Sequence, residues 1–555
     1  MMAGKGRGQP LAPVTQGHPR QWTILAVVLS AMMVVVLDTT ILNVALPSME
    51  RELSASQSQQ EWMVDAYTLT FAGFMFAAGV MGDRFGRKRL MLLGLALFGI
   101  SSLACAMATS PYFVIASRAV MGIGAAAVVP TTLSVISNVF SDADRPRAIG
   151  IYAGLIGASV AAGPIVGGLL LSGFWWGSVF LVNVPLSLVA ILLIWRLVPE
   201  SRDPAGRELQ SLPVLQSILG LVLVIFAIIK GGEHGVWFSP GVVAPLLAGL
   251  VLLAGFVWRQ AVSSAPMLDV SLFRNPVFAV ASSATGLTMF ALAGATFYLV
   301  FYLQFVRGFS PLAAGLALVP AAVAQMVFSP RASALVKRFG TRAVCASGLV
   351  VVALAFLGIH LVSESTPIWY LELLLFVQGA GMSHVFAPST AAVMSTVPRE
   401  QAGAGSALNN TVRNVGQALG VAILGSLISS IYRAHVTPSL RVLPADARLK
   451  AGESIGATRA AIADAAAHGH DIAGLLPAAE RAFVHAMHWA SLVSAFVALL
   501  SAIVVLVFLQ PVARTAPSRW RSRRPGSGRS QLEPDDYAEL KGTTSPTPAG
   551  KSPLT

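Results

Sequence analysis

Apolar runs of about 20 residues recur along the whole chain, separated by short polar breaks. Their length matches what a helix needs to cross a bilayer. Fourteen such runs lie near 22–46, 61–82, 90–108, 111–138, 147–171, 177–197, 212–230, 240–259, 277–305, 311–334, 343–362, 367–396, 405–432 and 484–510. In lipid, backbone polar groups must be satisfied inside a helix or a closed barrel, and continuous runs of this length select helices. The predicted fold is all-α: a membrane protein of 14 transmembrane helices.

Lys and Arg residues set the orientation, because short cytoplasmic loops retain them. One set of connections carries Arg84, Arg87, Lys88, Arg89, Arg145, Arg147, Arg196, Arg202, Arg207, Arg259, Arg274, Lys337, Arg338, Arg342 and Arg399, while the short loops opposite offer little more than Arg51 and Arg307. Both tails and the loop "GDRFGRKR" (Gly82–Arg89) are therefore expected in the cytoplasm. The Ala-rich stretch 433–483 is expected outside and partly helical. The tail after Gln510 is rich in Pro, Ser, Gly and cations, a composition that favours disorder.

The pattern repeats. "DRFGRK" (Asp83–Lys88) joins spans two and three, and "KRFGTR" (Lys337–Arg342) joins spans ten and eleven; "GIGAAAVVPTT" (Gly122–Thr132) in span four returns as "GAGMSHVFAPST" (Gly379–Thr390) in span twelve. The separations are 254 and 257 residues. These echoes imply two pseudo-symmetric six-helix bundles with an inserted helix pair, as in many secondary transporters. The expected division is an N-terminal tail at 1–21, a first bundle at 22–200, the inserted pair with its loops at 201–275, a second bundle at 276–510 and a C-terminal tail at 511–555.

Composition agrees. Of 555 residues, 55% are hydrophobic and 11% charged, against about 25% charged in soluble domains. The net charge of +13 is scattered through loops and one tail, which argues against a nucleic-acid partner. Cys105 and Cys345, the two cysteines, lie in apolar runs and read as small core residues. No G-x-x-x-x-G-K-[ST] loop is present, so ATP does not drive the protein directly. The His pairs at 468/470 and 485/488 lack clustered Cys or an H-E-x-x-H signature, so no metal and no other cofactor is expected. No catalytic cluster points to an enzyme.

Four stretches, in order, resemble the major facilitator superfamily, and more narrowly its 14-helix drug:proton antiporter family. They are "LDTTILNVALP" (Leu37–Pro47), "GVMGDRFGRK" (Gly79–Lys88), "RAVMGIGAAA" (Arg118–Ala127) and "GLIGASVAAGPIVGG" (Gly154–Gly168). The chain departs from the family at "WGSVFLVNVP" (Trp176–Pro185), which lacks an Arg and a second Trp, and at Lys337, which replaces the acid of the first loop. The resemblance implies a proton-gradient-driven exporter of small hydrophobic or cationic organic compounds, in the cell membrane. The alternatives are a proton-coupled importer or a non-transporting sensor.

Charges inside membrane helices are costly and mark function by default. Asp38, Asp65 and Arg118 are expected at similar depth in the first bundle, as proton-coupling or substrate residues. Arg413 and Glu372 are the candidates in the second bundle, with His384 a weaker one. The resemblance gives Gly79, Asp83, Arg84, Gly86, Arg87 and Lys88 as a gating loop that latches the halves. It gives Gly154, Gly157, Gly163, Pro164, Gly167 and Gly168 as the antiporter motif of helix five. Gly82 and Gly86 are expected to let the backbone turn tightly in the gating loop.

Overall fold

The computed structural model describes residues 18–509 apart from 142–143, 203–210, 235, 264–265, 267–269, 398–401 and 469–472. Both expected tails therefore lie almost wholly outside the described residues. Helices occupy all fourteen expected positions, and no strand occurs among the described residues.

The first bundle contains α1 (Gln21–Leu53), α2 (Gln57–Phe85), α3 (Arg87–Ala106), α4 (Pro111–Val139), α5 (Arg145–Gly173), a single turn α6 (Ser178–Leu181) and α7 (Asn183–Leu197). The inserted pair is α8 (Ser211–His234) and α9 (Pro240–Val262). The second bundle contains α10 (Pro276–Phe301), α11 (Pro311–Ile359), α12 (Ile368–Thr396), α13 (Ala402–Val436) and α16 (Leu476–Phe508). Between α13 and α16, the stretch expected to be partly helical forms α14 (Ala445–Ala451) and α15 (Ile455–Ala467). Twelve of the described helical segments are long and apolar enough to cross a membrane. The helices at the second and fifth positions are 29 residues each. Polar Gln57, Gln59, Gln60, Glu61 and Asp65 interrupt the apolar run of α2.

Local sequence sets the helix ends. At α2, the Ser56 hydroxyl accepts from the Gln59 N–H at 3.3 Å and the Gln59 side chain accepts from the Ser56 N–H at 2.9 Å, a reciprocal cap. Ser-Pro starts α4 and α11: Ser110 and Ser310 accept from the N–H groups of Phe113 and Ala313, and the proline supplies a preset φ where no donor is needed.

The repeat in the sequence is a repeat in packing. Gly86 and Gly340 hold the same place in the two "RFG" loops, and both have positive φ, +113° and +81°. A side chain is strained there, so glycine makes both breaks. Gly340 divides the long α11 into the two spans that the sequence separates. The expected turn at Gly82 does not form: Gly82 stays in the last turn of α2, close to Thr131. One glycine is enough to redirect the chain.

Close helix contacts repeat with the same spacing. Gly94 of α3 meets Gly124 of α4, and Gly348 of α11 meets Gly381 of α12; Gly122 lies on the Tyr67 carbonyl of α2, and Gly379 on the Ala321 carbonyl of α11. Membrane helices associate through such small-residue contacts, because lipid supplies no hydrophobic drive between them.

The inserted pair lies outside the repeat. Helix α8 packs on α2 and α13, with Gly73 against Ile218 and Gly232 against Ser426. Helix α9 packs on α8 through Gly249 and Gly220 and leaves Leu247, Leu250, Val251 and Trp258 exposed, as on a lipid-facing helix.

The halves meet at the end where α1, α5 and α13 finish and α2 and α11 start. Gln304, in a π-helical turn after α10, donates to the Val44 carbonyl of α1 at 2.9 Å. Ser426 of α13 donates to Glu61 of α2 at 3.4 Å. Ser454, which caps α15, hydrogen-bonds to buried Glu50 of α1. This end of the molecule is closed.

Candidate functional site

Helix α1 places Asp38 in the interior of the first bundle, 0% exposed. Helix α4 places Arg118 beside it, 1% exposed. The Arg118 Nη1 lies 2.5 Å from Asp38 Oδ2. The guanidinium also donates through Nε to the Met63 carbonyl of α2 at 3.1 Å and lies 4.2 Å from the Tyr67 ring centroid. The cation thus has a carboxylate, a carbonyl and a π face, which together offset its desolvation.

The other carboxylate oxygen is held by a residue that the charge pattern missed. Asn183 Nδ2 donates to Asp38 Oδ1 at 2.9 Å and to Ser102 Oγ of α3 at 3.2 Å. Ser102 in turn donates to the Phe180 carbonyl at 2.8 Å. Asn183 lies two residues before Pro185, which lacks an N–H and leaves the Leu181 carbonyl without its usual helical partner; the backbone at Val182 stays helical, with φ −60° and ψ −30°. The available signal was a lone amide in the apolar run "FLVNVPL".

Asp65 is as deep but stands apart. It is 0% exposed, and neither carboxylate oxygen has a hydrogen-bond partner among the described residues. The expected grouping of Asp38, Asp65 and Arg118 thus resolves into a bonded pair and a separate acid. The reason is angular: Asp65 and Met63 differ by two residues on α2, which places them about 200° apart around a helix.

In the second bundle, Arg413 of α13 lies over the Phe386 ring at 5.2 Å. Its Nε has no hydrogen-bond partner among the described residues, and Tyr152 of α5 lies within electrostatic reach of it. Glu372 is half-buried near the start of α12 and has no hydrogen bond or ion pair among the described residues. His384 bonds its own helix at the Ala380 carbonyl, 2.7 Å away, and packs on Phe328. The structure does not bring Glu372, His384 or Arg413 to the Asp38 pair.

In the helix-five motif, Gly163 and Gly167 lie against Thr40 and Ile41 of α1, next to Asp38. Gly168 lies against the Leu312 backbone, and the Pro164 carbonyl against Gly315, both in the second bundle. One turn of α5 therefore joins the helix of the buried acid to the opposite half. Gly154 and Gly157 belong to the same helix, but their surroundings are outside the described residues.

In the gating loop, the Asp83 side chain is outside the described residues. Arg84 is exposed, and Gly79 has open space where a Cβ would sit. The Arg87 N–H donates to the Ser201 carbonyl at 2.9 Å. Lys88 donates through Nζ to the Trp195 carbonyl at 2.7 Å and through its N–H to Glu200 at 3.1 Å, and Arg89 lies 3.6 Å from Glu200. These contacts stay within the first half. Glu200, which the sequence reading did not single out, holds the loop against the end of α7. The pair with Arg89 is exposed and contributes at most about 1 kcal/mol.

Two repeated helical bundles, joined face to face, closed at one end and carrying buried charge, make a secondary transporter that works by moving one half against the other. The comparisons agree. The Major Facilitator Superfamily profile matches residues 28–421, and the chain belongs to that family. It is a multi-pass membrane transporter and not an enzyme. The multidrug efflux pump LfrA of Mycolicibacterium smegmatis is 35% identical over 494 residues, 88% of this chain and 97% of that one. The methyl viologen resistance protein SmvA of Salmonella typhimurium is 35% identical over 423 residues, 75% of this chain and 84% of that one. Among solved structures, a bacterial homolog of the human lysosomal transporter Spinster, inward-facing and unoccupied, has a similar fold, with TM-score 0.62 and 18% identity over 88% of this chain and 98% of that one.

Proposed function

We propose that this chain is a proton-coupled antiporter that exports small hydrophobic or cationic organic compounds. The observation that carries the reading is the buried Asp38–Arg118 pair, which α5 links to the opposite half. An ion pair buried in a membrane bundle is costly to keep. A carboxyl group that gains and loses a proton during transport gives a reason to keep it. Asp65 is the second acid in this reading, a buried carboxyl group with no hydrogen-bond partner among the described residues in this arrangement. Efflux rather than import is supported by the helix-five motif and by the relatives, named for multidrug efflux and methyl viologen resistance. Everted membrane vesicles test the reading. A lipophilic cation added to them should discharge an imposed pH gradient, and a compound panel that never does so would remove it.

Fourteen crossings, with both tails in the cytoplasm, follow from the charge bias and the helix positions. The closed end then faces outward, and α14 and α15 lie on the outer surface. Cys105 and Cys345 are buried, so labelling background is low. Ser141→Cys and Thr437→Cys should react with an impermeant maleimide from opposite sides of the membrane. Reaction of both in intact cells would break this topology.

The loop Gly79–Lys88 acts as the cytoplasmic latch in this reading, with Asp83 as its acid. Asp83→Asn should insert normally and lower export about tenfold, the loss of roughly one charged hydrogen bond from the latched state. Wild-type export from a normally expressed variant would leave the loop only its role in orientation.

A further inference from the structure

Every partner of Asp38 in the structure is a donor. Arg118 donates to Oδ2 and Asn183 Nδ2 to Oδ1. That set suits the carboxylate. The protonated acid needs the opposite at one oxygen, an acceptor for its O–H. One unused acceptor is already in place: Asn183 Oδ1 is buried and has no hydrogen-bond partner, on a residue that is 0% exposed.

We propose that Asn183 is a positioning residue whose amide serves both protonation states of Asp38. Nδ2 donates to the carboxylate; when Asp38 takes a proton, the amide turns over and Oδ1 accepts from the new O–H. No bond but the transferred O–H is made or broken. The turn moves the Nδ2 donors to the position that Oδ1 leaves, and it costs Ser102 Oγ, which gives its own proton to the Phe180 carbonyl, one accepted bond. An apolar residue would leave the acid's proton unpaired, and a fixed donor would favour the anion alone.

The titratable groups whose charge reaches this site are Arg118 on α4, Tyr67 on α2 and Cys105 on α3. Among these groups, Asp38 is the one whose charge the proposal changes. The inference rests on Asp38 being the proton site, and its test separates the two claims.

Infrared difference spectra of the full chain, acid minus alkaline, with ¹³C-labelled asparagine, read both groups at once. A protonated carboxyl band should appear over the same pH range in which one asparagine carbonyl moves to lower frequency. Both changes should vanish in Asp38→Ala. A carboxyl band that titrates with no amide change would overturn the role of Asn183 and leave Asp38 standing. Absence of any Asp38 carboxyl band would sink both. Transport gives a second reading. Asn183→Leu keeps the shape and removes both hydrogen bonds. It should slow export about tenfold while moving the pH midpoint by less than about half a unit, because each protonation state loses one hydrogen bond. Asn183→Gln should recover part of the rate. A midpoint moved by a full unit would show that only one state is served, against the proposal. Should Asn183→Leu fail to insert, the wild-type spectra decide alone.

Discussion

Asp38→Asn will insert and fold but will lose drug-driven proton release. In everted vesicles with an acidified interior, adding a transported cation should dissipate the gradient with the native protein. With the variant it should do so no faster than in vesicles without the protein. The amide keeps the shape of the carboxyl group and can still accept from Arg118, but it cannot titrate. Arg118→Ala should differ in kind. It leaves Asp38 buried without its cation, and breaking a buried pair from one side costs about 3–5 kcal/mol, so the yield of inserted protein should fall. Adding Asp38→Asn to Arg118→Ala removes the stranded charge and should restore most of that yield, while transport stays absent. Proton coupling retained by Asp38→Asn would move the site to Asp65, whose buried carboxyl has no hydrogen-bond partner among the described residues.

Gly168→Ala is expected to bias the protein away from the closed arrangement described here. A Cβ at Gly168 would sit 2.5 Å from Leu312 Cα and 3.1 Å from its nitrogen. The obstacle is backbone, which cannot rotate aside as a flexible side chain does. Overpacking of this kind costs about 1–3 kcal/mol, so the population of the closed state should fall about 5- to 150-fold relative to the open one. Ser426→Cys is a suitable reporter, because Ser426 is 2% exposed at the same closed end. Its labelling from outside should rise in the Gly168→Ala background, and export should slow because the halves no longer close fully. Unchanged labelling with unchanged export would remove the helix-five motif from the cycle.

Much was legible in the sequence because membrane solvation leaves few solutions. The fourteen helix positions follow from the length of the apolar runs. The doubling of the fold follows from the "RFG" loops and from echoes 254 and 257 residues apart. Gly86 and Gly340 share positive φ because the backbone break itself requires glycine, a local property that survives in sequence. The burial of Asp38, Asp65 and Arg118 was likewise readable, since a charge inside an apolar run has nowhere else to go.

The tertiary structure decided which of these charges meet. Depth along a helix can be counted from sequence, but rotation about neighbouring helices cannot, and a shift of two residues turns a side chain to the far face. Asp38 therefore met Arg118 while Asp65 did not. Asn183 and Ser102 joined the site through contacts 145 and 81 residues apart in sequence. An amide or hydroxyl carries little signal in one chain, and only the packing of α1, α3 and α7 gives it a partner. The same holds for Glu50 and Ser454, 404 residues apart. Local chemistry wrote the helices, the turns and the repeat into the sequence; close approach of distant segments, which depends on the whole bundle, chose the partners.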